Sequence, residues 1–348
     1  MVASGKNTKK PFEPFGAPQL PTFGTAPIFN HTLPIVFRLS RPRTWVFPGA
    51  SFLLGYTITG GGAFYQLLVG LAIACIVTGA TNIVNTYADV KEDSINQPSR
   101  VLWIGRVGPR TALSSAIILY GLAAAFSVYL GLLYMLVLGL GVFNSLFYSL
   151  PPLRFKARPV PSLISFSGAV GLAFLSGLAV NGSLNLLNPV LWLTTYFMFT
   201  YGTVKNLPDY AGDKKTGTRT SATIFTSMKS AVLFSGVLLA TPYVLLVTLV
   251  ATGFLSPVYL ADAVLIIFLF SIFRKMRRAR TSEDLEKAHT LGFFYAISFL
   301  LLTLVATSPT LQSLTITVGA FVWTLLVSRI HVDSRVEARD WEKGTTKN

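Results

Sequence analysis

Between Glu13 and Glu283 the chain has only six acidic residues, and five of them fall in two short clusters. Asp89, Glu92 and Asp93 form the first, Asp209 and Asp213 the second, and Asp262 stands alone. Asn85, Asp89 and Asp93 recur every fourth residue, so a helix through them would carry all three on one face. Two carboxylates and an amide oxygen make a hard, oxygen-only donor set. Such a set suits Mg2+, which keeps several waters and shares its shell with phosphate oxygens. The same spacing recurs at Asp209 and Asp213, where Pro208 and Gly212 argue that the preceding helix breaks and a second, short one carries the pair. Two facing sites of this kind would clamp a diphosphate. Basic residues that could meet that anion are Arg100 and Arg106 after the first cluster, Lys205 one turn before Asp209, and Arg154 and Lys156 in a connection expected on the same side. The competing reading of the aspartates is a solvated loop end or simple pairing with Lys and Arg. Its weakness is that the spacing occurs twice in a chain so poor in acid.

The elements that must position these residues are apolar. Of 348 residues 52% are hydrophobic and 12% charged, about half the charge of a soluble domain. Ten apolar runs are predicted to cross a bilayer, approximately Thr44–Tyr56, Phe64–Thr86, Thr111–Leu130, Leu133–Leu150, Ser162–Val180, Val190–Val204, Ala231–Ala251, Val258–Phe273, Leu291–Ala306 and Ser313–Val327. The connections after the even-numbered runs are rich in Lys and Arg, whereas those after the odd-numbered runs have none. The positive-inside rule then places both termini, and both acidic clusters, on the cytoplasmic side of an integral, multi-pass membrane protein. A net charge of +15 therefore reads as topology and attraction to membrane lipid, not as nucleic-acid binding. The single cysteine, Cys75, lies inside an apolar run and excludes an internal disulfide. Residues 1–35 read as a poorly ordered basic tail without a signal peptide, 36–328 as the membrane domain and 329–348 as a cytoplasmic tail.

Three segments carry a resemblance to the UbiA superfamily of intramembrane prenyltransferases. Asn82 to Asp93 resembles the family's N-D-x-x-D-x-x-x-D motif through Asn85, Asp89 and Asp93, with Thr86 where an aspartate is common. Lys205 to Thr220 resembles the second D-x-x-x-D motif and its basic tail, with Asn206 in place of a frequent aspartate. Tyr148-Ser149-Leu150-Pro151-Pro152 is similar to the family's Tyr-Ser-x-Pro-Pro segment. The family has nine spans, so the run at Ser313–Val327 is either an additional helix or an overcount.

The resemblance implies an all-α helical bundle of nine to ten spans around a central cavity open to the cytoplasmic side. It implies Mg2+-dependent transfer of a polyprenyl group from its diphosphate to an aromatic or lipid acceptor through an allylic cation. Asn85, Asp89 and Asp93 would bind one metal ion and Asp209 and Asp213 the other. Arg100, Arg106, Arg154, Lys156 and Lys205 would contact diphosphate, and Tyr148 and Tyr201 would steady the cation or orient the diphosphate. An interfacial tyrosine is otherwise a membrane anchor. His289, next to a basic connection, reads as an interface residue before it reads as an acid or base. A terpene cyclase of the same family would use the same aspartates without an acceptor. A cation transporter would want its carboxylates near mid-membrane instead.

Overall fold

The computed structural model describes residues 32–328; of the predicted tails, 1–31 and 329–348 lie outside the described residues, while 32–35, expected in the N-terminal tail, open a helix. All ten apolar runs are helical. In chain order the α-helices are α1 (Thr32–Leu39), α2 (Val46–Ile58), α3 (Phe64–Ala88), α4 (Val90–Asn96), α5 (Pro98–Val107), α6 (Pro109–Ser127), α7 (Leu132–Ser149), α8 (Pro159–Ala179), α9 (Pro189–Lys205), α10 (Tyr210–Thr216), α11 (Met228–Ala251), α12 (Ile266–Arg278), α13 (Ser282–Thr307) and α14 (Leu311–Ser328). Among the described residues, eight segments are long and apolar enough to cross a membrane. α14 is among them, so the last apolar run is a helix of spanning length. α2 and α9, at 13 and 17 residues, are the two shorter members.

Burial sorts the helices into an inner and an outer set. Of the most apolar stretch of α8 and of α13, 61% is buried, against 22% for α6 and α7 and 17% for α14. Leucines and valines on the outer helices, such as Leu136, Leu140, Val318 and Leu325, are exposed, as expected where the solvent is lipid. Small residues let the inner helices approach closely. α2 crosses α8 through Gly55 and Gly177, and Ser51 Oγ on α2 donates to the Val170 carbonyl of α8 at 2.7 Å. Asp262 is fully buried and accepts a 2.8 Å hydrogen bond from Thr303 on α13. This bond ties the 3-10 segment Pro257–Leu265 to the central helix and gives the lone aspartate a partner inside the bundle.

The two acidic motifs fold alike. α3 ends at Ala88, Asp89 forms the joint, and α4 carries Asp93. α9 ends at Lys205, Asp209 caps α10, and α10 carries Asp213. In both motifs the backbone N–H of the second aspartate donates to the carbonyl of the first, at 2.7 Å for Asp93 and 2.8 Å for Asp213. One helical turn thus sets the spacing between each pair of carboxylates.

Candidate active site

Asp89, Asp93 and Asp213 are buried, with 5–7% exposure, and each carboxylate has a polar partner. Lys156, from the connection between α7 and α8, ion-pairs with Asp89. Arg100 Nη1 donates to Asp93 Oδ1 at 3.0 Å, and Asn96 Nδ2 donates to Asp213 Oδ1 at 3.0 Å. Asn85 Nδ2 donates to Asp89 Oδ2 at 2.9 Å. The Asn96–Asp213 bond joins residues 117 apart and locks the first motif against the second. Lys156 sits between them: burial lowers its ammonium to about 7, against the pull of Asp213 and Asp209, which favour the charge. Burial, followed by the neighbouring Asp209 carboxylate, pushes Asp213 up to about 7. So many carboxylates in one partly dry place call for a cation.

The α4–α10 contact depends on Gly212. A Cβ there would stand 1.8 Å from Asn96 Oδ1, closer than any van der Waals contact. We expect Gly212→Ala to displace Asn96 and lower kcat about 10-fold through misplacement of Asp213, with little change in thermal stability; steady-state kinetics and a melting curve check this.

A cavity of about 270 Å³ opens beside these motifs. At one end Asn85, Arg100, Lys205, Asp209, Glu286 and His289 line it; Ile73, Tyr134, Val137, Leu138 and Leu172 line the other. The chain has thus built a slot with a charged end and an apolar depth. Tyr148 and Tyr201 also face the cavity. Lys205 Nζ is 3.4 Å from Tyr148 Oη and lies over the Phe166 ring at 5.0 Å.

Of the residues expected from sequence, Asn85, Arg100, Tyr148, Tyr201, Lys205 and Asp209 line the cavity. Asp89, Asp93, Asp213 and Lys156 stand behind the charged end through the bonds above. Arg154 is drawn to Glu92 at 2.6 Å. Arg106 is not brought to the cavity: it lies over the Trp103 ring at 5.0 Å, and Arg38 lies over the same ring at 4.8 Å. Thr86 and Asn206, the two departures from the motifs, are engaged elsewhere. Thr86 receives a 2.8 Å bond from Arg41, and Asn206 donates to Ser221 at 2.9 Å. Sequence reading missed Arg41, Arg43, Asn96 and Gln97, and placed His289 at an interface. Arg41 also reaches Asn85 Oδ1 at 3.3 Å. The available signal was two arginines directly before an apolar run, read as topology alone.

Among the described residues no three His, Cys, Asp or Glu side chains gather at one point as a closed metal site. The donors present are oxygens, two carboxylates per motif with Asn85 beside the first, and Lys156 and Arg100 mark where positive charge is drawn. An open, oxygen-only set that leaves positions for water and phosphate fits Mg2+ better than a closed cage would.

The model of the UbiA prenyltransferase family matches residues 46–297. The chain belongs to this family. It is a prenyltransferase and a multi-pass integral membrane protein. Among curated relatives, a digeranylgeranylglyceryl phosphate synthase of Methanospirillum hungatei is 29% identical over 76% of this chain and 96% of its own length. One of Methanothermobacter thermautotrophicus is 30% identical over 70% and 86%. Among solved structures, a UbiA homologue from Archaeoglobus fulgidus bound to GPP and Mg2+ aligns with a TM-score of 0.54 at 19% identity, covering 76% of this chain and 99% of that one. One from Aeropyrum pernix aligns at 0.60 and 15%, covering 76% and 98%. These likenesses show the fold, and the expected helical bundle is the one found.

Proposed function

We propose that this UbiA-family prenyltransferase moves a polyprenyl group from its diphosphate to the free hydroxyl of a prenylated glycerol phosphate, with Mg2+ at the two acidic motifs. The observation that carries this reading is the pair of matching Asp-x-x-x-Asp motifs, hydrogen-bonded through Asn96 and Asp213 at the charged end of an apolar cavity. The names of the curated relatives support a glycerol phosphate acceptor over an aromatic one.

Asn85, Asp89 and Asp93 would hold one metal ion and Asp209 and Asp213 the other. Bound there, the metal would supply Lewis-acid neutralisation of the departing diphosphate. The side chains do the rest. Lys205, Arg100 and Lys156 are placed to bind diphosphate oxygens, with Arg41 and Arg43 beside them. The apolar depth accepts the prenyl chain and keeps water from the allylic carbon, which would otherwise quench the cation. The tyrosine rings, Tyr148 closest to Lys205, offer electron-rich faces to positive charge. Both termini and the motif ends face the cytoplasm in this reading, by the charge alternation of the connections.

The test is transfer by the purified protein in detergent with geranylgeranyl diphosphate, Mg2+ or EDTA, and either geranylgeranylglyceryl phosphate or an aromatic acid as acceptor. A metal-dependent, doubly prenylated glycerol phosphate is expected. A cyclised hydrocarbon formed without acceptor would replace this reading with a terpene cyclase, and prenylation of the aromatic acid alone would overturn the acceptor.

A further inference from the structure

Transfer to a hydroxyl leaves a proton to remove. The bond from the allylic carbon to the diphosphate oxygen breaks, a bond from that carbon to the acceptor oxygen forms, and the acceptor's hydrogen must go to a base. At the charged end of the cavity three side chains stand in a row. Tyr201 Oη of α9 is 3.2 Å from His289 Nε2 of α13, and the two rings lie 12° from parallel. His289 Nδ1 is 3.8 Å from Glu286 Oε1, three residues earlier on the same helix. All three line the cavity. With the carboxylate on its Nδ1 side, neutral imidazole keeps its hydrogen on Nδ1 and turns the Nε2 lone pair to the Tyr201 hydroxyl. Tyr201 then donates to His289, and its own oxygen lone pairs remain for a hydroxyl in the cavity.

We propose that Tyr201, His289 and Glu286 form the proton exit for the acceptor. This rests on the transfer reaction proposed above. As the new C–O bond forms, the acceptor's proton passes to Tyr201 Oη and the phenolic proton passes to His289 Nε2. Glu286 stabilises the resulting imidazolium, which returns its proton to water at the cavity mouth. Base, relay and orienting carboxylate follow the logic of an activated hydroxyl elsewhere in enzymology. The other charged groups facing this row are Arg43, whose guanidinium lies 4.3 Å from the centre of the Phe293 ring, one turn beyond His289, and Lys205, one turn beyond Tyr201. Both are cations, and Glu286 is the anion of the row.

A histidine that merely ties α13 to α9 would give the same distances, so the test must read the proton. We would measure the pH profile of kcat, KM and the solvent deuterium effect on kcat for the full chain and for His289→Gln and Tyr201→Phe, with Mg2+, geranylgeranyl diphosphate and geranylgeranylglyceryl phosphate. Each variant is expected to lower kcat about 100-fold with KM for the diphosphate changed less than about 3-fold, to lose the acid limb of the wild-type profile, and to be no worse when combined. A kcat within about 3-fold of wild type in either folded variant, or a lower kcat whose pH profile keeps its shape, overturns the proton exit. Wild-type protein that transfers to no hydroxyl acceptor overturns the transfer reading itself, and the proton exit with it.

Discussion

Asp89→Asn should lower kcat for prenyl transfer about 1,000-fold, close to 4 kcal/mol of transition-state stabilisation, while leaving the protein folded. Asparagine keeps the volume and one oxygen but removes the charge that meets both Lys156 and the proposed metal. Its neighbour Asp93 then stands alone with Asn85 on that side. The fold should tolerate the change because Lys156, already lowered to about 7 by burial, can shed its proton once its partner is gone. Asp209→Asn should behave in the same way from the second motif, and the double variant should lose little more than either alone, since both act on one departing diphosphate. Product formation in detergent across a Mg2+ titration, with size-exclusion profiles as the folding control, measures this. A loss below about 10-fold for Asp89→Asn would remove the first motif from the reaction.

How much of this was readable before the fold was known depends on the distance over which a residue acts. The Asp-x-x-x-Asp pairs were legible because one turn of helix fixes the spacing, and the backbone bonds of Asp93 and Asp213 follow it. The break before Asp209 was legible from Pro208 and Gly212. Contacts between motifs were not: nothing local in Ile95-Asn96-Gln97 says that Asn96 will meet a carboxylate 117 residues on. Arg106 shows the same limit from the other side. Its position after the first motif suggested diphosphate, yet Trp103, three residues earlier on α5, holds it elsewhere. His289 was hidden because it lies in the polar first turns of α13, among Glu283, Asp284, Glu286 and Lys287 and next to a basic connection. Nothing local there says whether the side chain meets a headgroup or the cavity. Thr86 and Asn206 looked like lost ligands in the sequence; their bonds to Arg41 and Ser221 make them framework instead.

The crossing of α2 and α8 carries the largest expected effect on the fold. A Cβ on Gly177 would lie 2.1 Å from the Phe52 carbonyl oxygen, and one on Gly55 would lie 1.9 Å from the Phe174 carbonyl oxygen. Both obstacles are backbone, so no side chain can swing away. The two helices must separate by more than about 1 Å, losing dispersion contacts along the whole crossing. The Ser51–Val170 hydrogen bond goes with them, and Phe47 and Val170, which line the cavity from these helices, move apart. Gly177→Val should therefore cost about 3 kcal/mol or more, enough that little folded protein survives extraction. Gly139→Val is the matched control. Gly139 lies exposed on α7 with nothing within 4 Å of its would-be Cβ, so that variant should stay within about 0.5 kcal/mol of wild type. Yield after extraction and the thermal midpoint in detergent decide it. Equal stability of the two variants would mean that α2 and α8 do not meet at this crossing, and that the wall of the cavity is built some other way.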